Sequence, residues 1–471
     1  MMDREASLPT SWAGRHVGVV GLAREGVALT RYLAAHGAHV IVSDRAQPSA
    51  LLPSLEAIRG YEVTLDLGGH NLETLARCDV VFVSAGVPRT IPVLVGLQAR
   101  GVRLSSETEL FLSRCPVGAI GITGSAGKTT TTTLVGKILQ ADGKHVLVGG
   151  NIGRPLIGSL DEIGRSSHVV LELSSFQLQH LSVSPHIAAV LNLTPNHLDR
   201  HRDMAEYAEA KRQIVAHQGS SDVAVLNADD PVVSTWGPEL RGRRSSFSME
   251  RLELAGDGAH LDDGQLMVRA GGVSTRVIPA RSLRLRGRHN VANALAAVAM
   301  ASAAGASVAS MRSVLGSFGG VEHRLEEVQR RDGISFVNDS IATAPERLIA
   351  GLRSFDSPIV LVAGGRDKHL PWGDAAALIC ARARAVVTMG EAAPLIEEAI
   401  EGASAQGAAP RVVRAADMLD AVRLASAAAE PGDVVLLSPG CTSFDRYRNY
   451  EERGDDFKLA VRSITGSGAQ A

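Results

Sequence analysis

This sequence of 471 residues has few cysteines and few aromatic residues, with four cysteines and 4% aromatics. It also has little excess of either charge, since its formal net charge is −2. The cysteines lie far apart without a Cys-x-x-Cys pair, so we predict no disulfide framework, no zinc site and a reducing compartment. The balanced charge predicts neither a nucleic-acid surface nor a polybasic membrane patch. Few aromatics beside 48 glycines favour a loop-rich α/β enzyme over a β-sandwich.

Long apolar runs are missing too. The first residues lack the apolar core of a signal peptide. The uncharged segment 291–311 consists mostly of Ala, Ser and Gly, which is too weakly hydrophobic for a membrane span and predicts a buried helix. We therefore expect a cytoplasmic protein that has no membrane-spanning segment.

Residues 122–129, Ile-Thr-Gly-Ser-Ala-Gly-Lys-Thr, form the most informative motif. It follows an apolar run and precedes a helix predicted at 130–140. Glycines let backbone N–H groups point at phosphate oxygens, and a helix N-terminus adds partial positive charge. The motif is a shortened phosphate loop, in which Lys128 would contact the β- and γ-phosphates and Thr129 would bind Mg²⁺. The alternative is a glycine-rich turn with a surface lysine.

The order of strands and helices predicts an α/β protein of three domains, at 1–115, 116–319 and 320–471. The first is doubly wound, with a glycine turn after its first strand and Asp44 closing the second strand, as nucleotide-binding domains have. Ala23 replaces the middle glycine of that turn.

The central block carries the phosphate loop, and the last block again has a parallel α/β pattern. Within the central block, residues 251–280 predict an antiparallel hairpin insertion, and a long helix is predicted to begin at Asn290. In the last block, strands are predicted at 335–338, 359–363, 385–389 and 434–437.

Polar residues at strand ends are the candidates for chemistry, because ligands bind beyond the carboxyl ends of parallel strands. Glu172 is the natural carboxylate partner of Thr129 for Mg²⁺. His197 is either a ligand for a second cation or a capping residue. Asn290 and Asn293 lie three apart on one helix face and suit either adenine recognition or an N-cap.

In the last block, Arg324 follows the domain boundary and is either a surface charge or a clamp that reaches ATP on domain closure. Three strand ends, at 338–343, 364–368 and 438–444, carry small, hydroxyl and cationic side chains. Together they predict an anion-binding crevice suited to a small carboxylate substrate.

Taken together, these motifs resemble the Mur ligases, the ATP-dependent amide-forming enzymes of peptidoglycan precursor synthesis. The resemblance spans nearly the whole chain in the same order, and it is carried by TGSAGKT at 123–129, GNIG at 150–153, LELSSFQL at 171–178, NLTPNHLDR at 192–200, HNVANA at 289–294 and EHR at 322–324. The passages 172–178, 338–340 and 438–454 resemble the members that add glutamate to UDP-N-acetylmuramoyl-L-alanine. We expect a monomer with that nucleotide and glutamate as its substrates.

The resemblance also implies a fold, a mechanism and site residues. It implies a UDP-binding domain, a central ATPase domain and a glutamate-binding domain, with ATP and Mg²⁺ as cofactors and an acyl phosphate intermediate. The implied catalytic residues are Lys128, Lys211, His197 and Arg324. The implied metal ligands are Thr129, Glu172, His197 and a carbamylated Lys211. The implied ATP-binding residues are Gly124, Ser125, Ala126, Gly127, Lys128, Thr129, Thr130, Asn290, Asn293, Arg324 and Asp339. The implied substrate-binding residues are Asp44, Ser84, Gly86, Asn151, Ser174, Gln177, Thr343, Lys368, Ser443 and Phe444.

Three departures from the family pattern affect these expectations. Ala126 stands where the family usually has Asn, and Ala23 stands where it has Gly. Ile341 stands where many relatives have Lys, and a subgroup that adds L-glutamate has a similar Asn-Asp-Ser-Ile sequence. We expect D-glutamate as the substrate, with L-glutamate as the alternative.

Three other function classes compete with this interpretation. A nucleotide switch needs neither Glu172, His197 nor the asparagine pair. A nicotinamide-dependent dehydrogenase is disfavoured by the degraded first glycine turn. Another amide ligase, such as a folate polyglutamylating enzyme or the diaminopimelate-adding Mur ligase, is disfavoured by the full N-terminal block and by the lack of an Asp-Asn-Pro-Arg-like sequence near the C-terminus.

Overall fold

The computed structural model describes residues 8–196, 200–250, 256–285, 287–368, 370–404 and 410–466. The chain divides into two compact units, Met1–Phe318 and Gly319–Ala471. The first unit contains two sheets and the second contains one. Among the described residues, no helix combines the length and the apolar character that crossing a membrane requires.

The first sheet has five parallel strands in the order β3-β2-β1-β4-β5. The order reverses at β1, so a crevice opens beyond the carboxyl ends of β1 and β4. Its strands are β1 His16–Val20, β2 His39–Asp44, β3 Val63–Leu67, β4 Val80–Val83 and β5 Arg103–Ser105. Its helices are α1 Arg24–Ala35, α2 Leu52–Ala57, α3 Leu72–Leu75, α4 Pro92–Ala99 and α5 Glu107–Arg114.

The second sheet has nine strands in the order β14-β13-β12-β11-β10-β9-β6-β8-β7. All neighbours from β7 to β12 are parallel, and β12, β13 and β14 form an antiparallel extension. Its strands are β6 Ile120–Thr123, β7 His145–Gly150, β8 Ser167–Glu172, β9 Ile187–Val190, β10 Val223–Asn227, β11 Arg243–Ser248, β12 Asp257–Asp262, β13 Gln265–Ala270 and β14 Val273–Pro279. Its helices are α6 Lys128–Ala141, α7 Ser175–Leu178, α8 Met204–Ala216, α9 Arg288–Ala303 and α10 Val308–Ser317.

One continuous apolar core joins these two sheets. Leu33 of α1 and Leu110 of α5 are fully buried and belong to the same cluster as Leu156, Leu160 and residues of the central strands. Burial of this kind is the main favourable term in folding. The first sheet is therefore packed firmly against the central one, and side chains of both reach a common surface.

The second unit contains a six-stranded sheet in the order β15-β16-β20-β17-β18-β19, parallel except for β15. Its strands are β15 Glu326–Arg331, β16 Ile334–Asn338, β17 Ile359–Gly364, β18 Ala383–Met389, β19 Arg411–Arg414 and β20 Val434–Leu437. Its helices are α11 Pro345–Arg353, α12 Gly373–Arg382, α13 Ala393–Ser404, α14 Met418–Ala428 and α15 Tyr450–Gly466. Two apolar clusters, one on each face, include Phe336 and Leu361.

The predicted α/β class is confirmed, but several elements differ from the sequence-based prediction. The single buried helix predicted at 291–311 was wrong, because α9 ends at Ala303 and Gly305 turns the chain with φ +76° before α10. The predicted hairpin insertion is a three-stranded meander that continues the central sheet, and residues 251–255 lie outside the described residues. The boundary proposed between the first two domains stays a prediction.

Candidate active site

The phosphate loop lies between β6 and α6, in the strand–loop–helix arrangement that the sequence predicts. Gly127 caps α6 in the left-handed region at φ +81°. A Cβ atom there would lie 2.1 Å from the Asn293 Oδ1 atom. Glycine is therefore favoured here by its backbone conformation, and any side chain would also have to displace that of Asn293. Thr130 follows in the first turn of the helix and is half-buried.

Asn192 and Thr194, which follow β9, fix the shape of this loop. The Ala126 N–H donates to Asn192 Oδ1 at 2.8 Å, and Asn192 Nδ2 donates to the Ala126 carbonyl at 3.1 Å. The Ser125 hydroxyl donates to the Thr194 carbonyl at 2.9 Å. The backbone of Ala126 is therefore held from outside, whichever side chain it carries. Sequence reasoning assigned no role to Asn192, and its position at a strand end was the available signal.

Lys128 lies over the loop that it follows. Its Nζ atom donates to the Gly124 carbonyl at 2.8 Å and to the Ser125 carbonyl at 3.3 Å. Its ammonium group is thus close to the backbone groups that would surround a phosphate chain. The structure brings Lys128, Gly124 and Ser125 together as predicted.

Thr129 and Glu172 meet as the sequence predicts. The Thr129 hydroxyl donates to Glu172 Oε2 at 2.7 Å, and both side chains are buried. The second carboxylate oxygen, Oε1, accepts from Asn151 Nδ2 at 2.7 Å. Asn151, predicted to bind substrate, therefore contacts the carboxylate predicted to hold the metal.

Lys211 is buried rather than solvated, although α8 would ordinarily expose a lysine. Its side chain is 1% exposed, and Nζ donates to the Gly124 carbonyl at 3.0 Å and to Thr123 Oγ1 at 3.3 Å. The ring of Tyr207 lies 4.7 Å from Nζ. Burial, with a further contribution from the charge of Lys128, lowers the pKa of Lys211 to about 7. A sizeable fraction of the Lys211 amine is therefore neutral near neutral pH.

Asn290 and Asn293 lie in the first turns of α9. Asn293 Nδ2 donates to Asn290 Oδ1 at 3.2 Å, so the two amides share a face as predicted. Gly287, not an asparagine, occupies the N-cap, so the capping alternative was wrong. Because Asn293 also reaches Gly127, this pair lies against the phosphate loop.

Asp44 and Ser84 both hold the glycine turn of the first sheet. Asp44 Oδ2 accepts from the Leu22 N–H at 2.8 Å and Oδ1 accepts from the Ala46 N–H at 2.9 Å. The Ser84 hydroxyl donates to the Gly21 carbonyl at 2.9 Å. The structure brings these two predicted residues to the same end of the sheet.

A cavity of about 300 Å³ lies between the first and the central sheets. Ser84, Phe176 and Gln177 contribute to its walls, together with Arg89 and Arg200. Its position beyond strand ends of both sheets suits an elongated ligand, and its walls carry two arginines that can contact anionic groups as well as the carboxylates of Glu25 and Glu206. Arg89 and Arg200 were not among the predicted site residues.

The other predicted residues near this cavity have structural partners. Arg200 donates to the Gly86 carbonyl at 2.9 Å and stacks over Phe176 at 5.2 Å. The Ser174 hydroxyl accepts from the Gln177 N–H at 3.3 Å, in a capping box that begins α7. His197 lies outside the described residues, so its predicted metal role stays a prediction.

In the second unit, Asp339 is buried at the end of β16. Its Oδ1 atom accepts from the Leu325 N–H at 3.2 Å, and Oδ2 accepts from the Ser438 hydroxyl at 2.9 Å. Burial raises its pKa to about 6, although Arg324 acts in the opposite direction. Asp339 and Arg324 are thus electrostatic neighbours, as expected of residues predicted to act together.

Thr343 and Lys368 are also brought together, because Lys368 Nζ donates to Thr343 Oγ1 at 3.3 Å. They belong to the loops after β16 and β17, and Ser443 and Phe444 belong to the loop after β20, which lies between those strands. Ser443 is 2% exposed and Phe444 is 60% exposed. The three loops therefore follow neighbouring strands of one sheet, as predicted, and the anion-binding crevice that they would form stays a prediction.

Arg453 is a residue that sequence reasoning missed. It is 2% exposed, and its guanidinium donates to Ser340 Oγ at 3.0 Å and to the carbonyls of Ser340, Cys441 and Gly364 at 2.9, 3.1 and 3.3 Å. One side chain on α15 therefore joins all three strand-end loops that were predicted to form a crevice. Its place in the segment 438–454, which carries the family resemblance, could have marked it as a site residue. Nothing in the sequence indicated its partners, which lie far away along the chain.

A Mg²⁺ ion fits the donor set at the phosphate loop. Thr129 and Glu172 supply a hydroxyl and a carboxylate oxygen, the hard donors that Mg²⁺ prefers, and few protein ligands suffice because Mg²⁺ keeps several waters. In the described part of the chain, no group of three or more His, Cys, Asp or Glu side chains could hold a metal by itself. A site completed by phosphate oxygens agrees with both observations.

Family models match three successive segments of the chain. Residues 15–106 match a Mur ligase MurD-like N-terminal domain, residues 122–301 a Mur ligase middle domain, and residues 323–441 a Mur ligase glutamate ligase domain. These segments follow the order of the three predicted domains.

Relatives from three bacteria resemble the chain over almost its full length, and each is named UDP-N-acetylmuramoylalanine–D-glutamate ligase. The relative from Symbiobacterium thermophilum is 45% identical over 95% of this chain and 98% of its own. The relative from Pelotomaculum thermopropionicum is 41% identical over 95% of this chain and 97% of its own. The relative from Acidobacterium capsulatum is 41% identical over 97% of this chain and 98% of its own.

Proposed function

The chain belongs to the Mur ligase family, and on that premise we propose that it joins D-glutamate to UDP-N-acetylmuramoyl-L-alanine at the expense of ATP. The observation that carries the proposal is the buried contact of Thr129 with Glu172 beside Lys128, in a compact unit that also holds a cavity bounded by the first sheet. A nucleotide site alone would need only the loop. The cavity in the same unit provides room for a second, acidic substrate.

The reaction needs activation because a carboxylate is a poor electrophile. Transfer of the γ-phosphoryl group of ATP to the alanyl carboxylate gives an acyl phosphate, which the amine of glutamate attacks to form the amide and release phosphate. Lys128 and the N-terminus of α6 stabilise the negative charge of the phosphates. When bound, Mg²⁺ would neutralise phosphate charge from its position at Thr129 and Glu172.

Lys211 suits carbamylation, which we propose for it. A carbamate forms when a neutral amine attacks carbon dioxide, and the lowered pKa of Lys211 supplies the neutral form. The product would place an anionic oxygen donor near the Gly124 carbonyl and Lys128, whose positive charge would favour it. Lys211 would thereby become a ligand for a second cation, with His197 as its proposed partner.

The crevice of the second unit is the proposed glutamate site. Lys368 and Thr343 offer an ammonium group and a hydroxyl within one hydrogen-bonded pair, which suits a carboxylate. Ser443 and Phe444 would contribute from the neighbouring loop. Arg324 and Asp339 are proposed to act on ATP when the domains close, which would also exclude water from the acyl phosphate.

One substitution favours a second candidate substrate. Ile341 lies in the loop after β16, two residues before Thr343, where many relatives carry a lysine. Without that cation, recognition of the glutamate carboxylates changes, and L-glutamate becomes the alternative amino acid. We also propose that the protein acts as a monomer in the cytoplasm.

Release of ADP tests the proposed reaction. The purified protein should release ADP rapidly only when ATP, Mg²⁺, UDP-N-acetylmuramoyl-L-alanine and glutamate are all present, and the nucleotide product should carry one added glutamate by mass spectrometry. Equal ADP release without the UDP substrate would instead assign a simple ATPase.

A further inference from the structure

We propose that Arg24 is a positioning residue that links the glycine turn of the first sheet to Glu172, the carboxylate suited to Mg²⁺ in the central sheet. This inference rests on the proposed function only in naming the UDP substrate. The link itself is a chain of hydrogen bonds within the first compact unit.

The first step of the link is made by the Arg24 guanidinium. Nη1 donates to the Gly153 carbonyl at 2.9 Å and Nη2 is 3.4 Å from the Asn151 carbonyl. Both acceptors belong to the loop that follows β7. Arg24 is the first residue of α1, so a side chain of the first sheet holds the backbone of a central loop.

The second step of the link runs from that loop to the carboxylate of Glu172. The Asn151 N–H donates to the Glu172 carbonyl at 2.8 Å, and its Nδ2 donates to the Glu172 carboxylate at 2.7 Å. The other carboxylate oxygen accepts from Thr129. The orientation of Glu172 therefore depends on Asn151, whose own carbonyl faces Arg24.

At its other end the link reaches the predicted substrate residues. Leu22, two residues before Arg24, donates its N–H to Asp44, and Ser84 donates to the Gly21 carbonyl. A ligand that binds at this turn would act on the start of α1. Arg24 would transmit that effect toward Glu172.

Glu25, the next residue of α1, makes a parallel contact. Gln177 Nε2 donates to Glu25 Oε1 at 2.6 Å, and Gln177 also completes the capping box of α7, directly after β8. Two adjacent side chains thus reach the loops after two neighbouring strands of the central sheet. This second contact fixes the first turn of α1, so that Arg24 has a defined position from which to act.

Arginine suits this role because two guanidinium nitrogens can address two carbonyls at once, whereas a lysine ammonium is a single compact charge. Arg24 is exposed to solvent, so its hydrogen bonds are screened and removing them should not prevent folding. Its effect should appear in metal binding rather than in overall stability.

The test measures how Mg²⁺ supports binding of ADP to the full-length protein, by calorimetry over a series of Mg²⁺ concentrations. Arg24→Ala should raise the Mg²⁺ concentration for half-maximal ADP binding about 3- to 10-fold, the range expected from losing one partly exposed charge-assisted hydrogen-bond pair. Arg24→Lys should recover part of this loss. The matched control is Arg31→Ala, an exposed arginine of the same helix that stacks on Tyr61 instead, and it should leave Mg²⁺ dependence unchanged.

A double variant separates a positioning role from simple stabilisation. If Arg24 acts through Asn151, adding Arg24→Ala to Asn151→Ala should cause almost no further loss of Mg²⁺ affinity, because the pathway is already broken. Unchanged Mg²⁺ dependence in Arg24→Ala, or full additivity in the double variant, would overturn the inference. Failure of wild type to bind UDP-N-acetylmuramoyl-L-alanine would overturn the proposed function alone, because ADP binding is measured without it.

Discussion

Lys128 and Lys211 donate to the same acceptor, the Gly124 carbonyl, at 2.8 and 3.0 Å. Two ammonium groups this close repel each other, and burial penalises the charge of Lys211 most. The protein therefore holds a readily deprotonated lysine, Lys211, beside Lys128 at its phosphate loop. We propose that this pairing divides the chemistry, with Lys128 for phosphate charge and Lys211 as a nucleophilic amine.

The stability of the protein should depend on pH through Lys211. Its folded pKa of about 7 lies below the unfolded value of 10.5, so between these values the unfolded state binds more protons and stability rises with pH. Lys211→Met should flatten this rise. The measurement is the urea midpoint of both proteins from pH 6.5 to 10, and an equal slope in the two would contradict the assigned pKa.

Loss of the Lys211 side chain should abolish ligation. Lys211→Ala removes the amine that we propose to be carbamylated, and a short carboxylate such as acetate or formate should restore part of the ADP release by occupying the space. Glutamate ligation is measured with increasing carboxylate. Full activity of Lys211→Ala without any addition would remove this residue from the mechanism.

Lys128→Ala should reduce ligation at least about a thousandfold, because preorganised charge at transferring phosphates is a large part of catalysis. Lys137→Ala is the matched control, since Lys137 is an exposed lysine on the same helix α6. It should retain wild-type ADP release. Comparable losses in both variants would indicate damage to the helix rather than loss of a phosphate contact.

Sequence reasoning succeeded where a single local pattern determines the structure. Strands with continuous apolar runs, such as Ile359–Gly364 and Val434–Leu437, are buried on both faces and were predicted. The strands Glu326–Arg331 and Arg411–Arg414 are charged edge strands, whose exposed side chains hide the apolar pattern, and they were missed. Whether a strand lies at an edge depends on how the sheet assembles, so the local sequence does not reveal it.

The same division holds for the candidate site. Thr129 and Glu172 were paired correctly because both follow from strand ends of one parallel sheet. Arg24 and Arg453 reach partners far away in the sequence, and their side chains alone look like ordinary surface arginines. The burial of Lys211 likewise depends on what packs over α8, which no local pattern shows.

Arg453 should be important for the stability of the second unit. Arg453→Leu leaves several buried acceptors without their donor, which should lower the free energy of unfolding by about 3 kcal/mol. Urea unfolding of the full chain should show an earlier transition. Arg448→Ala, which removes a guanidinium 87% exposed on the same segment, should change it by less than about 0.5 kcal/mol; equal effects would contradict the assigned role.

The most direct test of the account compares the two isomers of glutamate. Purified protein is supplied with ATP, Mg²⁺ and UDP-N-acetylmuramoyl-L-alanine, and phosphate release is measured with D-glutamate and with L-glutamate. The account predicts release with D-glutamate and little with L-glutamate, which would make Ile341 a tolerated substitution. Release with the L isomer alone would contradict the D-glutamate assignment, and release with neither would contradict the proposed ligase.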